Sequence, residues 1–407
     1  MISSVAYLSM HTSPLLQPGS GYAGGMNVYI HELACTMAGR GIDVVVFTRR
    51  TSPDEPEVVE VTDGYRVVHL TAGPEAHIEM ASMAAHVADF AEGVIKWTYG
   101  AEARFDLIHS HYWLSGWAGV LVKEALDIPL ANSFHTLGRV KDLTRRADEL
   151  PSSPMRTLTE EEVIAQSDCV IASTPFEFED LMEHYGARPE RLCTSPPGID
   201  HDVFVPGDKG AARHTLGLGD DPMILFVGRI TALKGLDVAV EALARLDAPD
   251  GASPHLVVVG GPSGAQGDDE LARLVDLARR LGLSDRIRFV DPLPHLDLVR
   301  FYQAADVLVM PSRSESFGLV AAEAQACGLP VIAASVGGIR HVVDHGTSGV
   351  LVEGHDPAAF AEAISEILSD DRARARLAKG AIAKAESFSW QATADRFLEL
   401  YSGITGK

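Results

Sequence analysis

The chain has 407 residues, room for two domains of ordinary size, with 46% hydrophobic and 22% charged residues as in globular proteins. Its formal charge of −22 argues against nucleic acid and against an anionic membrane surface as strong partners, while leaving room for a local basic pocket. Cys35, Cys169, Cys193 and Cys327 are scattered without CxxC spacing and read as buried thiols, no apolar run reaches the roughly 18 residues of a membrane span, and "MISSVAYLSMHTSP" carries no basic leader, so the expected location is the cytoplasm.

Strand-like and helix-like stretches alternate from the start. "SVAYLSMH" is followed by helical text, "NVYIHELACTMAGRG", and by "DVVVFTR"; "DLIHSHY", "PLANSFHT" and "CVIASTP" come later. β–α alternation predicts a mostly parallel sheet with helices on both faces. Residues 194–210, "TSPPGIDHDVFVPGDKG", are rich in Pro, Gly and Asp and read as a linker. The same grammar restarts with "MILFVGR", "GLDVAVEALARL", "HLVVVGG", "DELARLVDLARRLG", "IRFVD", "LVRFYQAAD", "VLVMPS", "VAAEAQACG" and "PVIAAS". The end, "FSWQATADRFLELYSG", reads as an amphipathic helix after a break. Two doubly wound, Rossmann-like α/β units facing a cleft are therefore expected, with ligands at the carboxyl ends of strands. The expected division is 1–205 for the first unit, 206–388 for the second, and a last helix, 389–407, packing back on the first. The linker and the break before Phe388 are the expected hinges.

Three stretches carry chemistry. "PGSGYAGGMNVYI", residues 18–30, is a glycine-rich loop between the first strand and the first helix, where backbone can approach a ligand and free N–H groups favour an anion. Its glycine spacing is neither that of a phosphate-binding Walker loop nor a clean dinucleotide fingerprint. "FVGRITALKGLD", residues 226–237, sets Arg229 and Lys234 after a strand. Alone, two such cations are a solvated loop more often than a site; facing a cleft, they suit a diphosphate. "SRSESFGLVAAEA", residues 312–324, puts Glu315 before a turn and Glu323 on the second turn of a helix. The helix start at Gly318, Leu319 and Val320 offers amides to a phosphate, with Glu323 placed for ribose hydroxyls and Glu315 for a sugar beyond the diphosphate. Singly, each carboxylate reads as a surface charge or a helix-start charge favoured by the dipole. "GGPSG", residues 260–264, is a weak glycine-turn signal.

Glu315 and Glu323 with seven residues between them, "FVGR…KG" upstream and "GLPVIAASVGGI" downstream resemble the retaining GT-B glycosyltransferases of the GT4 group over essentially the whole chain. Within that family, "SMHTSPLLQPGSGYAGGMNVYI", "DLIHSHYWLSGW" and "FHTLGRVK" resemble the mycothiol-pathway enzymes that transfer N-acetylglucosamine to D-inositol 3-phosphate; sucrose-phosphate synthases share parts of this text more distantly. The resemblance implies hexosyl transfer from a nucleotide sugar with retention. His135, Arg229, Lys234 and Glu315 would be the catalytic set, and Gly25, Arg229, Lys234, Glu315, Gly318, Leu319 and Glu323 the donor site. His11, Asn27, Tyr112, Thr136 and Arg156 would hold the acceptor, with Arg156 on its phosphate. No cofactor and no metal ligand set is implied beyond the nucleotide-sugar co-substrate; magnesium, where present, is peripheral. The implied partners are small-molecule substrates, without stable membrane insertion, and a homodimer is compatible with the resemblance. One departure concerns the acceptor: inositol-phosphate transferases carry a phosphate-contacting lysine after the third strand, where this chain has "AGPEAHIEMASM", residues 72–83. His77 is the nearest substitute, and a neutral imidazole is the weaker phosphate ligand. A non-phosphorylated cyclitol, aminocyclitol or sugar acceptor is the alternative, and a nucleotide-sugar epimerase or a non-transferring binding protein are the rivals from other classes.

Overall fold

The computed structural model describes residues 1–19, 21–246, 253–264 and 266–407. Its first sheet has eight strands, β1 (Ser4–Leu8), β2 (Asp43–Arg49), β3 (Val58–Thr62), β4 (Tyr65–Leu70), β5 (Leu107–His111), β6 (Leu130–Ser133), β7 (Cys169–Ala172) and β8 (Leu192–Thr194), in the order β3-β4-β2-β1-β5-β6-β7-β8. The second has six, β9 (Met223–Val227), β10 (His255–Val259), β11 (Ile287–Val290), β12 (Val307–Met310), β13 (Val331–Ala334) and β14 (Gly349–Val352), in the order β11-β10-β9-β12-β13-β14. All pairings are parallel except β3 with β4. Central strands such as "MILFV" and "VLVM" are apolar throughout because helices cover both their faces. The β3–β4 hairpin is absent from the strand reading above. Its edge strand alternates exposed and half-buried residues, and Asp63-Gly64, with Gly64 at φ +79°, makes the turn.

Both sheets change direction at their first strand: β1 lies between β2 and β5, and β9 between β10 and β12. Such switch points open a crevice at the carboxyl ends of the strands. The loops after β1, β9 and β12 leave from those ends and meet one another.

The chain crosses between the units twice, and the crossings run side by side. Ile199 N donates to Phe388 O at 3.3 Å, and a Cβ on Gly198 would stand 2.1 Å from Trp390 N. The helix Trp390–Thr405 lies on the first sheet, where Trp390, Ala394, Phe397 and Tyr401 share a core with Val5, Tyr7 and Ile30. Thr393 Oγ1 ties it to Pro196 O at 2.9 Å. The cysteines depart from expectation: Cys169 and Cys327 are buried, but Cys35 and Cys193 are only half-buried, and all four are free. Among the described residues no helix is long and apolar enough to cross a membrane.

Candidate active site

The glycine loop after β1 is tied to the helix Gly25–Ala38 by Asn27. Gly24 N donates to Asn27 Oδ1 at 2.9 Å, while Asn27 Nδ2 donates to Thr12 Oγ1 at 2.7 Å and to Ser13 O at 2.6 Å. Both amide hydrogens are thereby used, and the residue is 1% exposed. Asn27, expected among the acceptor ligands, has its side-chain amide engaged in shaping this loop. The small residues beside it let the two units approach: a Cβ on Gly24 would lie 3.3 Å from Arg229 Nε, and one on Gly25 lies 3.5 Å from Leu319 Cδ1.

The second unit supplies the charges. Arg229 follows β9 and, among the described residues, makes only long hydrogen bonds, from Nη1 to Tyr22 O at 3.4 Å and to Ser263 Oγ at 3.5 Å. Ser263, from the glycine turn rated weak by sequence, also donates to Gly21 O across the cleft. Burial lowers the Arg229 pKa, opposed by Tyr112 and Glu315. Lys234 Nζ donates to Glu315 Oε2 at 2.7 Å, so these two expected ligands are paired with each other. Gly318 sits at φ +105° and caps the helix Leu319–Ala326, and a Cβ there would come within 2.4 Å of Ile339 Cδ1. Gly318→Ala is expected to cost roughly 1–3 kcal/mol, through the left-handed backbone and the clash, read as a drop in melting temperature. Glu323, on the second turn, is 4% exposed; its Oε1 accepts from His295 Nε2 at 2.7 Å and its Oε2 from Tyr302 Oη at 2.8 Å.

A cavity of about 230 Å³ lies between the units. The first unit contributes Gly25, His135 and Thr136 to its wall; the second contributes Arg229, Lys234, Glu315, Gly318, Leu319 and Glu323. His135 holds φ +59°, and its carbonyl accepts from Ser316 Oγ of the second unit. Its Nε2 is hydrogen-bonded to His111 Nδ1 at 3.0 Å. Burial pushes the His135 pKa down to about 3, so the ring is neutral across the working range and acts as a hydrogen-bonding group rather than a cation.

Four of the expected acceptor residues meet beside the cavity. The rings of His11 and Tyr112 are 4.5 Å apart, and the Arg156 guanidinium lies 5.2 Å from the Tyr112 ring centre. Arg156 Nη2 donates to Thr136 O at 3.0 Å and to Thr136 Oγ1 at 3.1 Å, while its Nε donates to Glu160 Oε1 at 2.8 Å. Glu160 is fully buried and also accepts from Gly138 N and the Tyr185 hydroxyl. Arg156 Nη1 makes no hydrogen bond among the described residues. Burial, helped by the charges of Arg229 and Arg156, lowers the His11 pKa to about 3, so His11 is a neutral member of this cluster.

The segment that lacks the expected lysine is held by other contacts. His77 stacks on Tyr22 at 5.1 Å, Ile78 packs on the first unit's apolar core, and buried Arg49 donates to Pro74 O at 2.6 Å and to Ala76 O at 2.7 Å. A second cation near Arg156 comes from elsewhere. Lys141, on the helix Gly138–Leu143, is half-buried, and burial together with Arg156 and Arg229 lowers its pKa against the opposing charges of Glu149 and Asp142. Its side chain makes no hydrogen bond or ion pair among the described residues. Sequence reading passed over Lys141, although it ends the quoted "FHTLGRVK". It also missed His295 and Tyr302, whose signal was only a Pro-rich turn, "DPLPHLD", and an ordinary helix.

The sequence model of the glycosyl transferases group 1 matches residues 208–384, and that of the glycosyl transferase 4-like domain matches residues 24–198. A D-inositol 3-phosphate glycosyltransferase of Streptosporangium roseum is 48% identical over 410 residues, an overlap of 99% of this chain and 93% of that one. The chain belongs to the group 1 glycosyltransferases. The transferase is also 42% identical to a D-inositol 3-phosphate glycosyltransferase of Corynebacterium diphtheriae, over 98% of this chain and 95% of the other. Its backbone matches that of the sucrose-phosphate synthase (tll1590) from Thermosynechococcus elongatus with a TM-score of 0.92, at 33% identity and with 99% of each chain covered. The two facing α/β units are thus the GT-B architecture, and the transferase is a GT4-type hexosyltransferase.

Proposed function

We propose that the transferase moves N-acetylglucosamine from UDP-N-acetylglucosamine to a hydroxyl of D-inositol 3-phosphate, with retention at the anomeric carbon. The names carried by its relatives at 42–48% identity support the acceptor. The observation that carries the reading is the Arg156 cluster: a guanidinium with a spare N–H group, a second cation at Lys141 that makes no ion pair among the described residues, and Thr136 shared with the cavity wall. That is a pocket for a phosphorylated acceptor beside a pocket for a diphosphate. Lys141 takes over the charge that the missing lysine would have supplied.

In this reading the diphosphate lies against Arg229, Lys234 and the amides after Gly318, which meet the charge that grows as the anomeric C–O bond breaks. Glu323 accepts from the ribose and Glu315 from the hexose. Both carboxylates already have protein donors, Lys234 on one and His295 with Tyr302 on the other, an arrangement that suits hydroxyl acceptors better than a nucleophile attacking carbon. The acceptor hydroxyl then attacks the face the diphosphate leaves, and its proton passes to the departing phosphate oxygen. His135, neutral, hydrogen-bonds the donor sugar.

A matrix of UDP- and GDP-sugars against D-inositol 3-phosphate, inositol and an aminocyclitol, scored by mass spectrometry for nucleotide release and product mass, tests this. Turnover with UDP-N-acetylglucosamine and D-inositol 3-phosphate, with the product's anomeric coupling unchanged from the donor's, is the expected result. No turnover with that acceptor under conditions where another reacts would overturn it.

A further inference from the structure

Glu323 does not stand alone in the wall of the cavity. His295 opens the short 3-10 helix His295–Asp297 after β11, lines the same cavity, and donates from Nε2 to Glu323 Oε1 at 2.7 Å, with side-chain exposures of 17% and 5%. Tyr302, fully buried on the helix Leu298–Ala304, donates to the other oxygen at 2.8 Å. A glutamate carboxylate turns about three side-chain single bonds; with one donor on each oxygen it is fixed, and one lone pair per oxygen is left over. Two acceptors at fixed spacing on one carboxylate match the vicinal hydroxyls of a ribose.

We propose that His295 is a positioning residue for the donor: it locks the Glu323 carboxylate so that both remaining lone pairs face the ribose diol, and it thereby sets the preference for ribonucleotide over deoxyribonucleotide donors. The inference rests on the reading above that Glu323 binds ribose. The surroundings of His295 favour its charged form. Burial alone would lower the imidazole, but the carboxylates of Glu323, of Glu32 on the helix Gly25–Ala38 and of Asp200 in the crossing segment outweigh it and raise its pKa. His31, on the same first-unit helix as Glu32, is held below its usual range by burial and then by His295. The ring of His295 leans on Phe204 at 5.0 Å, which fixes its tilt toward Glu323. Both donors meet the same carboxylate, and an imidazolium adds the attraction of its own charge to the hydrogen bond, so His295 outranks Tyr302 as the clamp.

Isothermal titration with UDP and 2′,3′-dideoxy-UDP gives the test, with GDP and its dideoxy analogue run in parallel to cover the base. The wild type is expected to bind the ribonucleotide tenfold or more tighter, as one or two hydrogen bonds to a charged group imply. His295→Ala should shrink that ratio to roughly threefold or less while affinity for the dideoxy nucleotide stays put. His295→Gln, whose amide can still donate to Oε1, should restore much of it. A purely structural role would weaken both nucleotides together or neither. An undiminished ratio in His295→Ala, alongside a collapsed ratio in Glu323→Gln, overturns the role of His295 alone. An undiminished ratio in Glu323→Gln as well overturns the ribose assignment on which it rests.

Discussion

Replacing Arg229 or Lys234 by alanine is expected to lower kcat by roughly a hundredfold or more, each side chain supplying about 3 kcal/mol to the diphosphate charge that develops as the sugar leaves. The two losses should differ in kind. Among the described residues Arg229 makes only contacts of 3.4 and 3.5 Å, to Tyr22 and Ser263, so it is free to turn its fork onto a phosphate, and on its removal buried Ser263 keeps its hydrogen bond to Gly21 O. Arg229→Ala should therefore melt like the wild type and lose activity at saturating donor. Lys234 is bound to Glu315 at 2.7 Å, and its removal leaves that carboxylate uncompensated next to the sugar position. Lys234→Ala should therefore raise the donor KM as well as lower kcat. Steady-state rates at saturating acceptor, with circular dichroism melts of both variants, separate these outcomes. A normally folded variant with unchanged kcat would remove that residue from the clamp.

Arg156→Ala is expected to cost about 3–5 kcal/mol of stability, because it strands the fully buried Glu160 carboxylate without its cation. Lost activity in that variant would say little about the acceptor. Glu160→Gln in the same chain removes the stranded charge and should recover most of the lost stability, measured by denaturant titration. Lys141 gives the cleaner probe, since its side chain makes no hydrogen bond or ion pair among the described residues. Lys141→Met should fold normally and raise the KM for a phosphorylated acceptor by roughly tenfold or more, the worth of one hydrogen bond to a charged group, with kcat little changed. The KM for a non-phosphorylated acceptor should not move. Equal effects on both acceptors would take Lys141 out of the phosphate pocket, and a wild-type KM for the phosphorylated acceptor would do the same.

Much of this protein was legible in its sequence, for a local reason. Apolar runs of strand length between helical stretches set the two doubly wound sheets, since a parallel strand covered on both faces needs side chains of one kind. "PGSGYAGG" after the first strand and the glycine of "SESFG" mark backbone that must bend at strand ends, and a motif of that sort depends on few neighbours. Hence the cleft and the cavity-lining Arg229, Lys234, Glu315 and Glu323 were in view from the start, and the carry-over from related enzymes named His11, Tyr112, Thr136 and Arg156, which meet in one cluster. The β3–β4 hairpin, marked by Asp63-Gly64, was readable and was passed over. What only the tertiary structure decided is which polar atoms are already taken. Asn27 spends its amide on Thr12 and Ser13 within its own loop, Glu315 is shared with Lys234 from 81 positions earlier in the chain, and Glu323 is held by His295 and Tyr302. Among the described residues Lys141 is left without a hydrogen bond or ion pair, beside Arg156. A buried polar group is defined by the partner that satisfies it. That partner is chosen by packing between distant segments, which the order of residues along the chain does not display.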